Sequence, residues 1–571
     1  MLRTIALATA LTLASSMATA QVGGVTSGIV PGQPVPPARD QPPRTGTSRL
    51  RGRVIAADTG QPLRKAIVRL SSPDIREGRS TTTDTNGLYE FRDLPGSRYT
   101  LFASKGSYVS LSYGQTRPFE GARPIELGEN QALDRLDFHL PRGAVITGRV
   151  VDEFGEPVAD ASVSPLRQQY NQGSRRMMPA GRNSTTNDVG EFRLFGLSPG
   201  QYVLSVVLQN PMMVMPSPDT GDRTGYAPTY YPGTDDPNAA QRITLTVGQV
   251  LSDLQIPLVL TQTARVCGVV LDAGGRRMAT GMVRAQPRSM MMPFFSAGGS
   301  GQVRPDGTFC IAGVPPGDYT LRAMGPGMNT PGESSMARVT VGGQDVSDVQ
   351  LAPQQPLTAT GRIVLEGGAA AGGSLKPETI QVLMQPVSPE DMMGNFIGGP
   401  PPHPRDDFSF EVKVLPGRVN VRAFVQDQTW MLKSVRLRGV DVTDSGVDVT
   451  PDADLSALEI VLTSRRSEIS GLVSNARGEK VTNYTVIFFP RDRSRWQGAS
   501  RYFGIARPDQ EGRFKVRTLP PADYQAVAVE YVENGQWTDP DYLESIQPSA
   551  TNVTIGEGET KTLDLKLSAS R

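Results

Sequence analysis

Few side chains in this sequence have the types and spacing that catalysis or metal binding would need. The 571 residues include only two histidines, His139 in a strand-like stretch and His403 in a proline-rich stretch. Because these histidines lie far apart in the repeat pattern described below, neither a histidine-based triad nor a zinc site is expected. We therefore predict no catalytic residues, no bound metal and no cofactor.

Residues 441–448 contain three aspartates that could suggest a calcium site: Asp441, Asp444 and Asp448. The ligand spacing of a calcium-binding loop, with its glycine and glutamate, is missing. Aspartates are also common in hairpin turns, because their side chains hydrogen-bond the nearby backbone. A polar turn is the interpretation that we favour.

The best candidate for ligand binding is residues 491–503, a stretch that mixes arginines with aromatic residues and that we call the basic-aromatic loop. Side chains of these two kinds can stack on sugars or pair with acidic glycans. The candidate binding residues, including one further tryptophan downstream, are Arg491, Arg493, Arg495, Trp496, Tyr502 and Trp537.

Methionines form a second unusual feature, because 10 of the 19 stand in four short clusters. Such clusters could fold back over their own β-structure, form adaptable apolar contact surfaces, or bind Cu(I) through their thioethers. We favour the first interpretation. The clusters lie at residues 177–178, 212–215, 290–292 and 392–393.

The elements that must position these residues come from an internal repeat, which decides the architecture. A glycine within an apolar alternation recurs at positions 52, 148, 268, 361 and 471, at intervals of 93 to 120 residues. In most copies a turn-forming cluster follows, and then a run of β-branched and apolar residues such as residues 66–70. This order predicts a strand, a turn and a second strand.

The second half of each copy has a stronger signature, seen best in residues 306–319, DGTFCIAGVPPGDY. Asp-Gly supplies a turn residue at positive φ, and the alternation directs Phe309 and Ile311 toward a core. Pro-Gly then ends the strand because proline cannot donate to the ladder. The fourth copy is degenerate, with Asp407 and Phe408 where glycine should precede the strand.

About seven short strands per ~100 residues, with turn signals between them, predict an all-β fold of small two-sheet antiparallel sandwiches. We expect a tandem array of five such domains, called repeats 1 to 5 below. The short joints between them predict an elongated string of domains.

One short helix is expected near residues 539–545, where Asp539 caps and Pro540 occupies the first turn. The predicted divisions are a signal peptide at 1–20, a flexible lead-in at 21–47, and sandwiches at 48–142, 143–264, 265–356, 357–465 (the degenerate copy) and 466–571.

The Gly-x-Val opening, the Gly-x-Phe strand and the Leu-Pro-Pro-Gly-x-Tyr turn resemble the carboxypeptidase regulatory-like domain, a transthyretin-like member of the immunoglobulin-like sandwiches. The resemblance extends over nearly all of residues 48–571 and is weakest in repeat 4. It implies a non-catalytic β-sandwich of the kind appended to secreted peptidases, receptors and surface proteins, with a carbohydrate-binding-like relative. Because such sandwiches serve many unrelated roles, the resemblance implies the fold more strongly than the function.

The first twenty residues are typical of a secretory signal. Arg3 is followed by an apolar run over residues 5–13 and by the small residues Ala18-Thr19-Ala20. Cleavage near Ala20 would make Gln21 the mature N-terminus. No later stretch approaches the ~20 apolar residues that a transmembrane helix needs. We expect an exported protein that is periplasmic, associated with the cell surface, or secreted.

The two cysteines lie in the same repeat, Cys267 before the motif glycine and Cys310 after the motif phenylalanine. The equivalent positions of the other repeats hold polar pairs such as Arg51 with Glu90, so we infer outward-facing neighbours on paired strands. In an exported chain these cysteines should form a disulfide. The bond would close a 43-residue loop and stabilise the repeat by about 4 kcal/mol. Two free thiols are the alternative.

The charges of the chain balance, with 58 Lys and Arg against 57 Asp and Glu. Nucleic-acid binding is not expected, because it needs a clustered surplus of basic side chains.

We favour a non-catalytic exported multidomain protein with a structural or interaction role in the cell envelope. Its partner would be an envelope or extracellular protein or a glycan. An array of carbohydrate-binding modules is the alternative, and a secreted hydrolase or hydrolase accessory is the third hypothesis.

Overall fold

A computed structural model describes most of the chain between residues 45 and 568. The predicted signal peptide, the lead-in before residue 45 and three methionine clusters (212–215, 290–292 and 392–393) lie outside the described residues. The described ranges are 45–72, 75–117, 119–171, 174–208, 224–272, 274–288, 299–325, 335–353, 355–366, 375–387, 402–426, 429–497 and 500–568.

Nearly all regular structure in the described residues is β. Repeat 1 contains β1 (Ser48–Ala56), β2 (Ile67–Ser72), β3 (Ile75–Thr82), β4 (Leu88–Leu94), β5 (Ser97–Ser104), β6 (Leu111–Ser112), β7 (Ile125–Leu127), β8 (Ala132–Leu133) and β9 (Phe138–Leu140). Repeat 2 contains β10 (Ala144–Val151), β11 (Ala161–Asn171), β12 (Ser174–Pro179), β13 (Ser184–Thr185), β14 (Glu191–Leu197), β15 (Gly200–Leu208), β16 (Thr224–Tyr226), β17 (Thr229–Tyr230), β18 (Ile243–Leu245), β19 (Val250–Pro257) and β20 (Leu260–Gln262). Repeat 3 contains β21 (Ala264–Val270), β22 (Gly281–Pro287), β23 (Ser300–Val303), β24 (Thr308–Val314), β25 (Gly317–Met324), β26 (Ser335–Val341) and β27 (Val346–Pro353).

The last two repeats follow the same order. Repeat 4 contains β28 (Leu357–Leu365), β29 (Ile380–Pro386), β30 (Ser409–Val414), β31 (Gly417–Val425), β32 (Met431–Leu437), β33 (Val440–Asp441), β34 (Val447–Val449) and β35 (Leu458–Thr463). Repeat 5 contains β36 (Glu468–Ser474), β37 (Thr485–Pro490), β38 (Gly504–Ala506), β39 (Arg513–Arg517), β40 (Ala522–Val529), β41 (Thr551–Ile555), β42 (Thr560–Thr562) and β43 (Leu565–Ser568). Its helix α1 spans Pro540–Ile546 and is capped by Asp539, as predicted. Short 3-10 turns occupy Pro377–Thr379, Arg493–Arg495, Gln536–Thr538 and Gln547–Ser549.

The all-β sandwich fold is confirmed, and every repeat combines the same two layers. In the first layer the opening strand (β1, β10, β21, β28 or β36) pairs with the Gly-x-Phe strand (β4, β14, β24, β30 or β39). In the second layer the next strand (β2, β11, β22, β29 or β37) pairs with the strand after the Pro-Gly turn (β5, β15, β25, β31 or β40). Both of these pairings are antiparallel.

The layers are not purely antiparallel, which differs from the prediction. The closing strand of each repeat (β9, β19, β27, β35 or β43) runs parallel to the opening strand. A parallel pair needs a long crossover connection. The opening and closing strands stand at the two ends of a repeat, so the rest of the repeat provides that connection.

Each repeat contains its own cluster of buried apolar side chains. The clusters lie within residues 50–140, 144–258, 264–351, 359–462 and 469–565. The five sequence-defined divisions stay a proposal for the domain bounds. One bound shifts by a residue, because the first strand of repeat 3 begins at Ala264, which the sequence analysis placed in repeat 2.

The tyrosine of the Pro-Gly-x-Tyr motif forms a corner that ties the strand back to the preceding turn. Its hydroxyl donates to the carbonyl four residues earlier, as in Tyr319 to Pro315 (2.9 Å) and Tyr524 to Pro520 (2.8 Å). This hydrogen bond lets a large ring be buried without leaving its hydroxyl unpaired. Repeat 4 has Val419 at this position and therefore lacks this hydrogen bond.

The motif glycine is required by the close approach of three strands. In each repeat it faces the aromatic residue of the Gly-x-Phe strand, as Gly268 faces Phe309. A Cβ atom at this position would lie 1.8–2.2 Å from a backbone oxygen of the closing strand or of the residues just before it. No side chain can be accommodated there unless the backbone moves, because heavy atoms at that distance overlap.

The predicted neighbourhood of the two cysteines is confirmed. Cys267 is the direct register partner of Cys310, and the two are joined by a disulfide. The equivalent positions of the other repeats are register partners as well, including Arg51 with Glu90. The motif register is therefore the same in all five repeats.

The expectation of an elongated string is wrong, because the chain folds back on itself. Residues 115–126 of repeat 1 contact residues 483 and 507–534 of repeat 5, and residues 167–175 of repeat 2 contact residues 533–541. We call this contact surface the docking interface. Short joints limit the distance between successive repeats, but they do not define the direction in which the chain continues.

Replacing the motif glycine of repeat 3 tests this packing. We expect Gly268→Ala to destabilise repeat 3 by about 1–3 kcal/mol, because the added methyl group overlaps the Val349 carbonyl. Hydrogen exchange of peptides from residues 264–353, followed by mass spectrometry, measures the loss of protection. The matched control is Gly342→Ala in the same repeat, where an added Cβ meets no atom within 4 Å. Equal protection in the two variants would contradict the packing argument.

Reduction of the disulfide should loosen repeat 3 and leave the other repeats unchanged. The crosslink closes a 43-residue loop, for which chain entropy predicts a contribution of about 4 kcal/mol. Hydrogen exchange with and without reductant, or with Cys267→Ser and Cys310→Ser combined, measures it. Alkylation of both thiols in the absence of reductant would show that the bond does not form.

Candidate functional site

The basic-aromatic loop folds against its own repeat. Trp496 is buried, with 7% of its surface exposed, and its Nε1 donates to the Pro490 carbonyl at 2.7 Å. The indole ring packs edge-on against Phe489 at 5.7 Å between centroids. The structure therefore places this tryptophan inside the repeat and not on an accessible face.

Trp496 is buried because repeat 5 has an additional apolar layer. All six residues of β37 are buried, which shows that both faces of this strand are covered. The loop and α1 cover its outer face. The continuous apolar run at residues 486–489 is a sequence signal for burial on both faces, since a strand with one wet face alternates. The buried members of this layer are Ile487, Phe489, Trp496, Val527, Val529, Val532 and Leu543.

The other candidate residues fall into buried and exposed groups. Tyr502 belongs to the main core of repeat 5, and burial raises the pKa of its hydroxyl. Trp537 packs, partly buried, against the additional layer. Arg495 lies over the Tyr502 ring at 4.3 Å. Arg491 and Arg493 are exposed.

Exposed Arg493 is also held to its own repeat, by Glu544 at 2.8 Å and Gln547 at 2.7 Å. Two of the six candidates are therefore buried, two are partly buried and two are exposed. Ligand binding by this loop stays a prediction.

The end of the loop connects repeat 5 to repeat 4. Arg501 forms an ion pair with Asp444 at 2.8 Å, and the Tyr502 hydroxyl donates to the same carboxylate at 3.0 Å. Burial by itself would lower the pKa of Arg501, but the bond to Asp444 outweighs it and the pKa is raised. Lys433 of repeat 4 reaches Glu557 of repeat 5 at 2.6 Å.

The three aspartates considered for calcium are engaged with different partners. Asp441 accepts hydrogen bonds from Thr443, and Asp448 lies 3.8 Å from Arg418. In the described part of the chain, no group of three His, Cys, Asp or Glu side chains is arranged to hold a metal.

The histidines and one methionine cluster can also be placed. His139 is exposed on β9, and Nδ1 of His403 lies 2.9 Å from the Ile380 carbonyl oxygen. Met177 packs against its own sandwich, next to Leu166 and Tyr230. Met177 therefore lies as we predicted, folded back over its own β-structure.

The docking interface is centred on a buried ion pair between repeats 1 and 5. A Glu120 carboxylate oxygen lies 2.9 Å from Arg507, and the two side chains are 0% and 3% exposed. The same oxygen accepts the backbone N–H of Thr116 at 3.0 Å. Arg507 also donates to the Gly121 carbonyl at 2.9 Å. Burial lowers the pKa of Arg507, and the charge of Glu120 opposes that effect.

Backbone groups join the same interface. The Arg123 guanidinium donates to the carbonyl oxygens of Pro508 and Asp509, and Gln510 donates to the Glu126 carbonyl at 2.8 Å. The Asn534 N–H of repeat 5 donates to a carbonyl of repeat 1 at 2.9 Å. Because backbone groups have fixed positions along each strand or loop, these hydrogen bonds also define how the two repeats are aligned.

Repeat 2 contributes an arginine that contacts repeats 1 and 5 together. The Arg167 guanidinium lies 3.3 Å from the ring centroid of Phe119 in repeat 1 and pairs with Glu533 of repeat 5 at 2.5 Å. The Arg167 side chain is 9% exposed. Nearby, Arg175 pairs with Asp539, the capping residue of α1, at 2.9 Å. One arginine thus contacts a neighbour in each of two other repeats.

Repeats 1, 4 and 5 line a partly open cavity of about 690 Å³, which we call the junction cavity. Trp430 and Val425 of repeat 4 contribute apolar surface, and repeat 5 contributes Phe503 and Ile505. The basic residues that line it are Arg98 of repeat 1 and Arg466, Lys515 and Arg517 of repeat 5.

Sequence reasoning did not find the docking interface or the junction cavity. Glu120 and Arg507 are 387 positions apart, and each stands among ordinary polar residues. Nothing local distinguishes a charged residue that another domain will bury from one that stays in water. The run at residues 486–489 is the one signal that could have indicated the additional layer of repeat 5.

Comparison with known proteins bears on the first two repeats. Residues 49–141 and 145–259 match the carboxypeptidase regulatory-like domain family. Repeats 1 and 2 are therefore similar to carboxypeptidase regulatory-like domains. Their matched ranges agree with the strands β1–β9 and β10–β19, so the resemblance recognised from the Gly-x-Phe and Pro-Gly motifs is confirmed there.

Solved structures with sandwich domains show weak similarity to the chain. The minor pilin of Streptococcus agalactiae is 14% identical over 37% of this chain and 95% of its own, with a TM-score of 0.21. A streptococcal ancillary pilin is 12% identical over 54% and 99%, with a TM-score of 0.19. The shaft pilin of Lactobacillus rhamnosus is 14% identical over 38% and 99%, with a TM-score of 0.14. Similarity this weak does not define a role for the chain.

No curated protein sequence matches the chain significantly. The helices of the described residues are too short and too polar to cross a membrane.

The buried ion pair predicts which substitutions weaken the docking interface. We expect Arg507→Met to weaken docking by about 3–5 kcal/mol, because Glu120 is left buried without a countercharge. Small-angle X-ray scattering should show a larger radius of gyration, and residues 116–126 should exchange faster. Combining Glu120→Met with Arg507→Met should restore most of the docking, since an apolar pair carries no unpaired charge.

The matched control is Arg117→Met, which removes a half-exposed ion pair with Glu530 at the rim of the same interface. Exposed pairs contribute about 0–1 kcal/mol, so this variant should scatter like the unchanged protein. An Arg507→Met protein with unchanged scattering and exchange would contradict the docked arrangement.

Proposed function

We propose that the chain is an exported, non-catalytic multidomain protein with a structural or interaction role in the cell envelope. The observation that carries this proposal is the docking interface, in which repeats 1, 2 and 5 bury charged side chains against one another. Such contacts hold several sandwiches at defined spacings. Loops presented by a rigid scaffold are where sandwich proteins usually bind partners, and fixed spacing favours simultaneous contacts.

Two features support export. The N-terminal residues have the pattern of a secretory signal, and Cys267 and Cys310 form a disulfide. Disulfides persist mainly in oxidising compartments outside the cytoplasm. The periplasm, the cell surface and the exterior are all compatible with these two features. The partner we propose is an envelope or extracellular protein or a glycan.

Carbohydrate binding at the basic-aromatic loop is a second candidate function, favoured by the exposure of Arg491 and Arg493. Guanidinium groups can pair with the carboxylates of an acidic glycan. Because Trp496 is a core residue, Trp496→Ala would also destabilise repeat 5 by about 3–5 kcal/mol and cannot identify a binding site by itself. Arg491→Ala is the more informative variant, because it leaves the buried layer intact.

The proposal predicts in which cell fraction the protein is found and how its N-terminus is processed. The chain should be recovered from the envelope fraction or the medium with Gln21 at its N-terminus, because the signal pattern places cleavage after Ala20. Mass spectrometry of the intact protein, carrying a C-terminal tag, measures the processing. Recovery of the uncleaved chain from the cytoplasm would overturn the export part of the proposal.

The interaction role is tested in cells that lack their own copy of the protein. Cross-linking should capture the same envelope partner with the unchanged chain and with Arg117→Met, and less of it with Arg507→Met, because undocking changes the spacing of the repeats. A purified chain with hydrolase activity that a single polar substitution abolishes would instead favour the enzyme hypothesis.

A further inference from the structure

The junction cavity has the size and position of a small-molecule site. Its volume of about 690 Å³ lies within the range of about 300–1,000 Å³ that is typical of ligand pockets. Such pockets often lie between domains, and this one is bounded by repeats 1, 4 and 5. Apolar surface from Trp430, Phe503 and several aliphatic side chains forms part of the wall, and five charged side chains form another part.

The charged part of the wall is predominantly basic. Its four cationic side chains have two carboxylate neighbours, Glu126 in the wall and Glu468 outside it. Glu468 pairs with both Arg517 (2.9 Å) and Lys515 (3.3 Å), and Glu126 is 3.8 Å from Arg98. In the described part of the chain, no carboxylate oxygen lies within 4.0 Å of the Arg466 guanidinium. The cavity therefore has an excess of positive charge.

Two of these cations come from different repeats. Arg98 belongs to β5 of repeat 1, and Arg517 belongs to β39 of repeat 5. Burial lowers the pKa of Arg98, Glu126 acts against that effect, and the positive charge of Arg517 adds to it. Docking repeat 5 onto repeat 1 thus brings like charges together, an unfavourable contact that nearby carboxylates such as Glu126 and Asp509 offset in part and a bound anion would offset further.

Arginine is suited to such an anion, because its planar donor fork binds carboxylate or phosphate oxygens in pairs. We propose that the junction cavity binds a small organic or inorganic anion with at least two carboxylate or phosphate groups, held between Arg98 and Arg466, with Lys515 and Arg517 completing the site. The apolar side of the cavity accommodates the uncharged part of an organic ligand.

The site is assembled from three repeats, and this has a thermodynamic consequence. A ligand that binds only the docked arrangement stabilises that arrangement, and a change that lowers the fraction of docked chains lowers the apparent affinity in proportion to that fraction. The anion is therefore coupled to the fold-back of the chain. This coupling goes beyond the structural role proposed above, because it makes the arrangement of the repeats dependent on a ligand.

Isothermal titration calorimetry of the full chain at low ionic strength tests the site with two probes, citrate and pyrophosphate. We expect saturable binding of at least one probe, and the tighter probe identifies carboxylate or phosphate as the preferred group. Combining Arg98→Gln with Arg466→Gln should weaken binding at least about tenfold, because two charge-assisted contacts are lost. The same probe should slow hydrogen exchange of residues 116–126 in the unchanged protein.

The matched control combines Arg53→Gln with Arg477→Gln, two exposed arginines that do not line the cavity. It removes the same total charge from repeats 1 and 5 and should bind within about twofold of the unchanged chain. Thermal unfolding without ligand verifies that both double variants are folded, and Lys515→Gln replaces the test variant if it is not. No saturable binding of either probe, or equal weakening in test and control variants, would overturn the proposal.

Discussion

The close approach of three strands at the motif glycine is the constraint on which the rest of each repeat depends. The opening strand lies between the Gly-x-Phe strand and the closing strand with the residues just before it. That backbone passes so near that a Cβ atom at Gly268 or Gly471 would overlap it. The absence of a side chain allows the opening and closing strands to pair in parallel. The aromatic ring of the facing strand, such as Phe309 or Phe514, covers the glycine from the other side. The recurring glycine, aromatic and Pro-Gly positions are therefore parts of one packing arrangement.

Repeat 5 adds to this common plan in a way that affects the whole molecule. A second apolar layer, made by the basic-aromatic loop and α1, covers the outer face of β37. The segment that leads into α1 contacts repeats 1 and 2, and the end of the loop contacts repeat 4 through Arg501. The insertions that at first suggested a ligand site thus also connect the last repeat to the others.

The docking interface is polar where the repeat cores are apolar, and this difference has a physical meaning. A buried ion pair such as Glu120 with Arg507 contributes little net stability, because desolvation offsets most of the attraction. Burying either charged group without the other costs free energy, so the pair disfavours other arrangements of the repeats. Arg167, which contacts Phe119 and Glu533 at once, has the same effect for three repeats together. An interface of this kind defines where the repeats lie more than how tightly they bind.

The layers within each repeat could be predicted from the sequence because they depend on interactions between nearby residues. Alternation, Asp-Gly turns, Pro-Gly ends and the cysteine positions are all local or repeated, and the register of Cys267 with Cys310 followed from comparing copies. The parallel closing strand, the burial of Trp496 and the pairing of Glu120 with Arg507 were not predictable in this way. They depend on surfaces that meet only after the chain has folded, and a single charged or aromatic residue has the same local pattern whether it is solvated or covered. Local patterning therefore determined the sandwiches, and the tertiary structure decided how they are arranged, because burial of isolated polar side chains depends on partners hundreds of residues away.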